Sequence, residues 1–320
     1  MTWWESVKGV AGARLGYHAN PPRSVPEGLT VDDGEWDGTV FTMLYPDALV
    51  RHLGIAVLDR IEAAGFEPVA WHVLWHRPED LDSFYGRNIT EVWHTYLYRL
   101  VDQLFALGPT VGMLVADRRP TAEPTCYRRL VQAKGASDPA RAAPGTIRAD
   151  LGSINKILSL VHSSDGRAES IEESTVFAGP GGFTRGQDPG ELRTLIALLQ
   201  AGTPPENRGY REVLAGLRAR TLAAAWEDVR GSARKKAAAI LDEGPAALAV
   251  PGGGERLSAL LPDAHPLSAV IRADFTPQSP GPEPERAALT LATFGVRLDD
   301  WESLVLATSR RFWPRGANVG

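Results

Sequence analysis

The chain has 320 residues, 43% of them hydrophobic, with 34 basic against 39 acidic side chains and a net charge of −5. No apolar run approaches the roughly 20 residues that span a bilayer, and no long basic block is visible, so neither a membrane nor nucleic acid is expected as the main partner. A lone cysteine, Cys126, excludes an intrachain disulfide and a cysteine-cluster metal site, and the start lacks an export signal's apolar stretch; both point to the reducing cytoplasm.

Residues 1–39 read as an irregular leader or arm, rich in Pro, Gly and Asp, whose Trp3, Trp4 and Trp36 are suited to covering apolar surface. Thr39 to Leu44 predicts a short buried strand, ended by the turn signal Tyr45-Pro46-Asp47. Leu49, Leu53, Val57, Leu58 and Ile61 then fall at helical spacing, with Gly65 as the stop. Residues 67–76 alternate like a strand, placing Val69, Trp71 and Val73 on one face; His72 and His76 lie four apart there, a spacing that makes no metal pair on a strand. Residues 81–85 open another helical stretch, and 92–107 predict a long amphipathic helix stopped by Gly108-Pro109. A strand follows at 110–117, then a short helix at 128–133, a loop over 134–150, a brief strand at 159–162 and a helix from 165. The order predicts an α+β, ferredoxin-like layout with helices on one face of a small sheet.

Past residue 178 the character changes. A Gly/Pro-rich linker leads into Ala/Leu/Arg-rich segments with helical periodicity, interrupted by a second Gly/Pro break near 251–254 and a Pro-rich spacer near 276–284. The glycine break is no phosphate loop, because no Gly-Lys-Ser/Thr follows it. The organisation expected is a leader (1–39), a domain over 40–178 and a smaller, mostly α-helical region over 179–320.

The chemistry concentrates in Pro144-Gly145-Thr146-Ile147-Arg148, followed after a spacer by His162-Ser163-Ser164-Asp165. With the strand, turn and helix over residues 41–66, these motifs resemble the nucleoside diphosphate kinase family, over a little less than half of the chain. The resemblance implies an α/β sandwich with an antiparallel sheet, and ping-pong phosphoryl transfer. An imidazole takes the γ-phosphoryl of a nucleoside triphosphate such as ATP and passes it to a diphosphate. Phosphoryl transfer needs positioning and charge neutralisation more than covalent help, and an imidazole is largely neutral and nucleophilic near pH 7.

By the same resemblance His162 matches the nucleophile, Arg148 the phosphate arginine of the Pro-Gly-Thr-Ile-Arg loop, and Arg129 (with Arg128 as rival, across a two-residue insertion) a second one. Ser137 stands for a phosphate-contacting threonine and Tyr85 for a tyrosine near the histidine. Ser164 belongs to the histidine motif, and the orienting glutamate falls by ungapped counting on Ser174, with Glu172 and Glu173 adjacent. Two positions depart from the family pattern: its phosphate-binding lysine is Tyr45 here, and its sugar-contacting asparagine is Ser159. By the resemblance both remain expected substrate-site positions. The resemblance also implies a magnesium ion arriving with the nucleotide, no dedicated metal ligands on the chain, and a homo-oligomer unless the leader and extension block the contacts. The altered pocket leaves two readings: a kinase acting on a nucleotide or specialised metabolite, or a catalytically impaired nucleotide-binding, regulatory module.

Overall fold

The computed structural model describes residues 35–76, 81, 95–119, 123–178, 183, 188–204 and 207–312. Of the residues singled out above, Trp3, Trp4 and Tyr85 lie outside them. Four strands form one antiparallel sheet in the order β2-β3-β1-β4: β1 Thr39–Leu44, β2 Phe66–Leu74, β3 Thr110–Asp117 and β4 Val161–Ser163. The helices of this part are α1 Pro46–Val50, α2 Gly54–Ala63, α3 Thr95–Ala106, α4 Cys126–Lys134, α5 Ile147–Asp150, α6 Arg167–Ala178 and α7 Pro189–Ala201. An α+β, ferredoxin-like sandwich is what the structure has, with one change: helices pack on both faces of the sheet.

Strand alternation sorts the faces. Val40 and Leu44 of β1 and Val111, Met113 and Val115 of β3 point to a core closed by Val57, Leu58 and Ile61 of α2, Leu130 of α4, and Leu192 and Ile196 of α7. Phe41 points the other way, where the Phe177 ring of α6 meets it at 5.5 Å between centroids. Gly112 on β3 permits this approach, because a Cβ there would collide with the Phe177 ring. Ser170 of α6 accepts the Phe41 N–H at 2.7 Å, fixing the helix to the sheet.

Local chemistry reshapes three of the expected elements. The helix read as continuous over 49–65 breaks into α1 and α2 because His52 takes a positive φ of 56°. In β2 the pairing shifts between Pro68 and Ala70, so Val69 is a bulge residue; Trp71 and Val73 keep to the core and Val69 leaves their row. The helix expected at 128–133 runs from Cys126 to Lys134, capped by the Thr125 hydroxyl, which accepts the Arg128 N–H.

The first compact unit extends past residue 178 to Asn207, except for two excursions. Helix α7, assigned above to the C-terminal region, belongs to it: Leu192 and Ile196 join the core, and the Gln200 side chain accepts the Gly54 N–H at 2.9 Å. The second unit comprises residues 208–320 with the excursions Asp138–Arg141 and Ile154–Leu158. It is helical: α8 Tyr210–Ala224, α9 Gly231–Asp242, α10 Gly253–Ser258, α11 Pro266–Arg272, α12 Pro284–Thr293 and α13 Asp300–Phe312. At its centre the buried Arg218 guanidinium donates to the carbonyls of Leu248 and Ile271 and pairs with Asp274. Asn155 donates to the Thr308 hydroxyl and accepts the N–H groups of Ile157 and Leu158.

Helix α4 ends at Gly135, whose φ of +83° is a region that L side chains rarely adopt. A Cβ there would lie 2.5 Å from the Thr146 hydroxyl oxygen. Gly135→Ala should therefore cost about 1–3 kcal/mol of unfolding free energy, read by denaturant titration. A loss below about 0.5 kcal/mol, the level of an ordinary surface change, would show that this junction relaxes freely.

Candidate active site

His162 sits in the middle of β4, an edge strand only three residues long, so side chains must hold it in place. The turn after β1 does much of this. The Tyr45 N–H donates to the Leu160 carbonyl at 3.0 Å, and the Leu160 N–H donates to Asp47 Oδ2 at 3.0 Å. Leu160 is thereby held at a φ of 70°, which turns the chain into β4. Asp47, read from the sequence only as part of a turn, is fully buried, and its Oδ1 has no hydrogen-bond partner among the described residues. Burial pushes its carboxyl up to about 6, against the pull of Arg51, the Leu160 and Ala48 N–H groups and Arg148.

His162 pairs across the ladder with Met43, so its ring lies on the α6 face. There its Nε2 meets Glu173 Oε2 at 2.8 Å, and the Ser164 hydroxyl donates to the same oxygen at 2.5 Å. Ser164 is itself anchored by its N–H on the Phe41 carbonyl. Burial raises the Glu173 carboxyl, but the bonds and charge of His162, the Ser164 hydroxyl and the Lys134 ammonium outweigh that and hold it below the usual carboxylate range. Among the acidic neighbours named from the sequence, the helix selects Glu173. Glu172 is exposed about 100° further round, and the Ser174 hydroxyl donates to the Ile171 carbonyl.

The carboxylate fixes the tautomer. With Nε2–H donated to Glu173, the lone pair of the neutral ring resides on Nδ1. Chemically, such an array can offer the other ring nitrogen as a nucleophile, with a half-buried carboxylate placed to stabilise positive charge on the ring.

Arg148 is buried, and its contacts are all to neutral groups. Nε donates to the Ser159 carbonyl, Nη1 to the Gly135 carbonyl, and Nη2 to the Val161 carbonyl at 2.6 Å and the Ser159 hydroxyl at 3.4 Å. One Nη1–H remains for a further acceptor, and no carboxylate lies within ion-pair distance among the described residues. The carboxylates of Asp47 and Asp165 act on its charge from beyond ion-pair distance, so the guanidinium has capacity for a further anion. Burial also lowers its affinity for its proton.

The substituted positions do gather here. The Tyr45 ring is buried, 6.4 Å from the His162 ring and edge-on to Phe105 at 5.8 Å, while Ser159 faces Arg148. Ser137 is exposed two residues beyond Gly135.

Arg129 does not gather with them. It pairs with Asp117 and donates to the Pro124 carbonyl, and Arg128 is exposed. Gly112, Met43 and His162 lie in one row across the sheet, whereas Asp117 lies five residues along β3, roughly 17 Å away. The last residue of α4, Lys134, lies beside β4 instead. Lys134 is buried, donates to the Ser163 carbonyl at 3.0 Å and lies 3.7 Å from Asp165. Lys134 belongs to none of the sequence motifs above; its place directly before the Gly135 stop is the one signal it carries.

Residues 39–180 match the family model described as nucleoside diphosphate kinase. The chain is 34% identical over 137 residues to a nucleoside diphosphate kinase of Archaeoglobus fulgidus, covering 43% of this chain and 83% of that protein. It is 30% identical over 144 residues to one from Metallosphaera sedula, covering 45% and 95% respectively. A solved halophilic nucleoside diphosphate kinase from Halobacterium salinarum, in complex with CDP, is similar over 49% of this chain and 97% of its own, at 24% identity and a TM-score of 0.40.

The raised Asp47 carboxyl has a measurable consequence. Below about pH 4 both folded and unfolded chains hold its proton; between 3.8 and about 6 only the folded chain does. Its contribution to stability therefore falls as pH rises through that window, by on the order of 3 kcal/mol, and levels off above it. Asp47→Asn keeps an acceptor for the Leu160 N–H and should flatten the dependence of melting temperature on pH between 4 and 6. An unchanged slope in the variant would assign the effect to other groups.

Proposed function

The chain belongs to the nucleoside diphosphate kinase family, and from that premise we propose that it carries the γ-phosphoryl group of a nucleoside triphosphate on His162 and delivers it to a diphosphate-bearing acceptor. The observation that carries this reading is the array of Glu173, Ser164 and His162, in which one carboxylate accepts from both the ring and the hydroxyl.

The steps follow from that geometry. The Nδ1 lone pair attacks the γ-phosphorus, the bond to the bridging oxygen breaks, and a nucleoside diphosphate leaves. Nε2 keeps its proton against Glu173, so the positive charge gained by the ring lies beside a carboxylate. An acceptor's terminal phosphate oxygen then attacks the same phosphorus, the N–P bond breaks, and the neutral ring returns. Arg148 supplies charge for phosphate oxygens in both halves. Ser137 offers an exposed hydroxyl near the start of the loop that leads to Arg148.

The described residues hold no cluster of three His, Cys, Asp or Glu side chains able to cage a metal ion. Magnesium in this reading is held by the nucleotide's phosphates, whose charge it neutralises. Tyr45 narrows the space beside the ring where the family pattern has a flexible lysine, and Ser159 spends its hydroxyl on Arg148. These changes favour an acceptor other than the ordinary nucleoside diphosphates, either a particular nucleotide or a specialised metabolite.

Incubation with γ-labelled ATP or GTP tests the reading. Acid-labile, base-stable label should appear on the protein and vanish in His162→Ala. Glu173→Gln should slow labelling by about tenfold to a hundredfold, the loss of one charge-assisted hydrogen bond. Nucleotide binding without label from any triphosphate would instead identify a nucleotide-binding module that has lost turnover.

A further inference from the structure

The edge of β4 carries two cations. Because the Ser164 N–H and the Leu160 carbonyl point towards β1, alternation turns the carbonyls of Val161 and Ser163 outward. Arg148 donates to the first and Lys134 to the second, so the two charges flank His162 along the strand. They are neighbours off the strand too, since Arg148 also donates to the carbonyl of Gly135, the residue after Lys134.

A buried ammonium needs compensation, and this one has little. Asp165 is the only carboxylate within 4 Å of it among the described residues, at 3.7 Å, and its side chain is 74% exposed. Glu173 is already engaged by His162 and Ser164. Ser163 O takes one of the three ammonium N–H groups.

We propose that Lys134 is a phosphate-binding residue of this site, forming with Arg148 a two-cation cradle for the oxygens of a nucleotide's terminal phosphates. The assignment rests on the phosphotransfer reading above and adds to it the missing counterpart of Tyr45: the charge absent from the turn after β1 is supplied from the end of α4. Lys134 is a binding residue in this scheme and takes no part in bond-making. Burial, with Arg148 beside it, pushes the ammonium down to about 8, while Asp165 and Glu173 oppose the shift. The charge is thus present at neutral pH and is lost on moderate alkalinisation. The charged groups facing it are Arg148, Asp165 and Glu173.

ADP binding to the full chain tests this by calorimetry at pH 7.5 and pH 9.5, alongside γ-phosphate labelling of the wild type. Lys134→Met should weaken ADP binding about tenfold or more at pH 7.5, and Lys134→Arg should restore most of it. Wild-type affinity should fall by a similar factor at pH 9.5, and the Lys134→Met affinity should not. Equal ADP affinity in folded Lys134→Met and wild type would overturn the assignment. Should that variant fail to fold, a wild-type affinity that is flat between the two pH values would overturn it equally. A wild type that never labels, yet binds ADP with this lysine and pH dependence, would defeat the phosphotransfer reading and leave the cradle standing.

Discussion

The hydrogen bond from His162 Nε2 to Glu173 is the constraint on which the site's chemistry turns. An imidazole has two nitrogens, and the partner of one decides what the other can do. Glu173 is supplied by α6, so the spacing between helix and sheet becomes a chemical variable. That spacing depends on Gly112, which leaves room under the Phe177 ring, and on Ser170, which takes the Phe41 N–H. A side chain at Gly112 would lift the helix and move the carboxylate off the ring.

A second dependence runs through β4. Three residues of edge strand make a weak ladder, and side chains from other elements complete it. Tyr45 and Asp47 fix Leu160 from the β1 side, while Arg148 and Lys134 occupy the outward carbonyls. The same groups that hold His162 in place are thus the ones that give the site its charge. Structure and electrostatics are built from one set of contacts.

Much of this was legible in the sequence. Strands β1 and β3 matched their patterns because each is a short apolar run buried on both faces, and the Pro-Gly-Thr-Ile-Arg and His-x-Ser-Asp segments carried the family signal. What escaped depends on geometry that periodicity does not encode. The bulge at Val69 shifts half of β2 by one residue, and the positive φ at His52 cuts an apparently continuous helix. Choosing Glu173 over Glu172 and Ser174 needed the rotation of α6 about its axis. Arg129 was matched by residue type, whereas in the fold it pairs with Asp117 and Lys134 is the cation beside β4. Composition likewise hides where α7 packs: it follows a linker, yet Leu192 and Ile196 fill the first core.

The account stands or falls on which nitrogen of His162 reacts. The chain, enriched with 15N-histidine and phosphorylated by a nucleoside triphosphate, can be read by long-range proton–nitrogen spectra with phosphorus coupling. Coupling of phosphorus to Nδ1, with Nε2 still protonated, is the result the Glu173 contact requires. Phosphorus on Nε2, or on a different side chain, would contradict it.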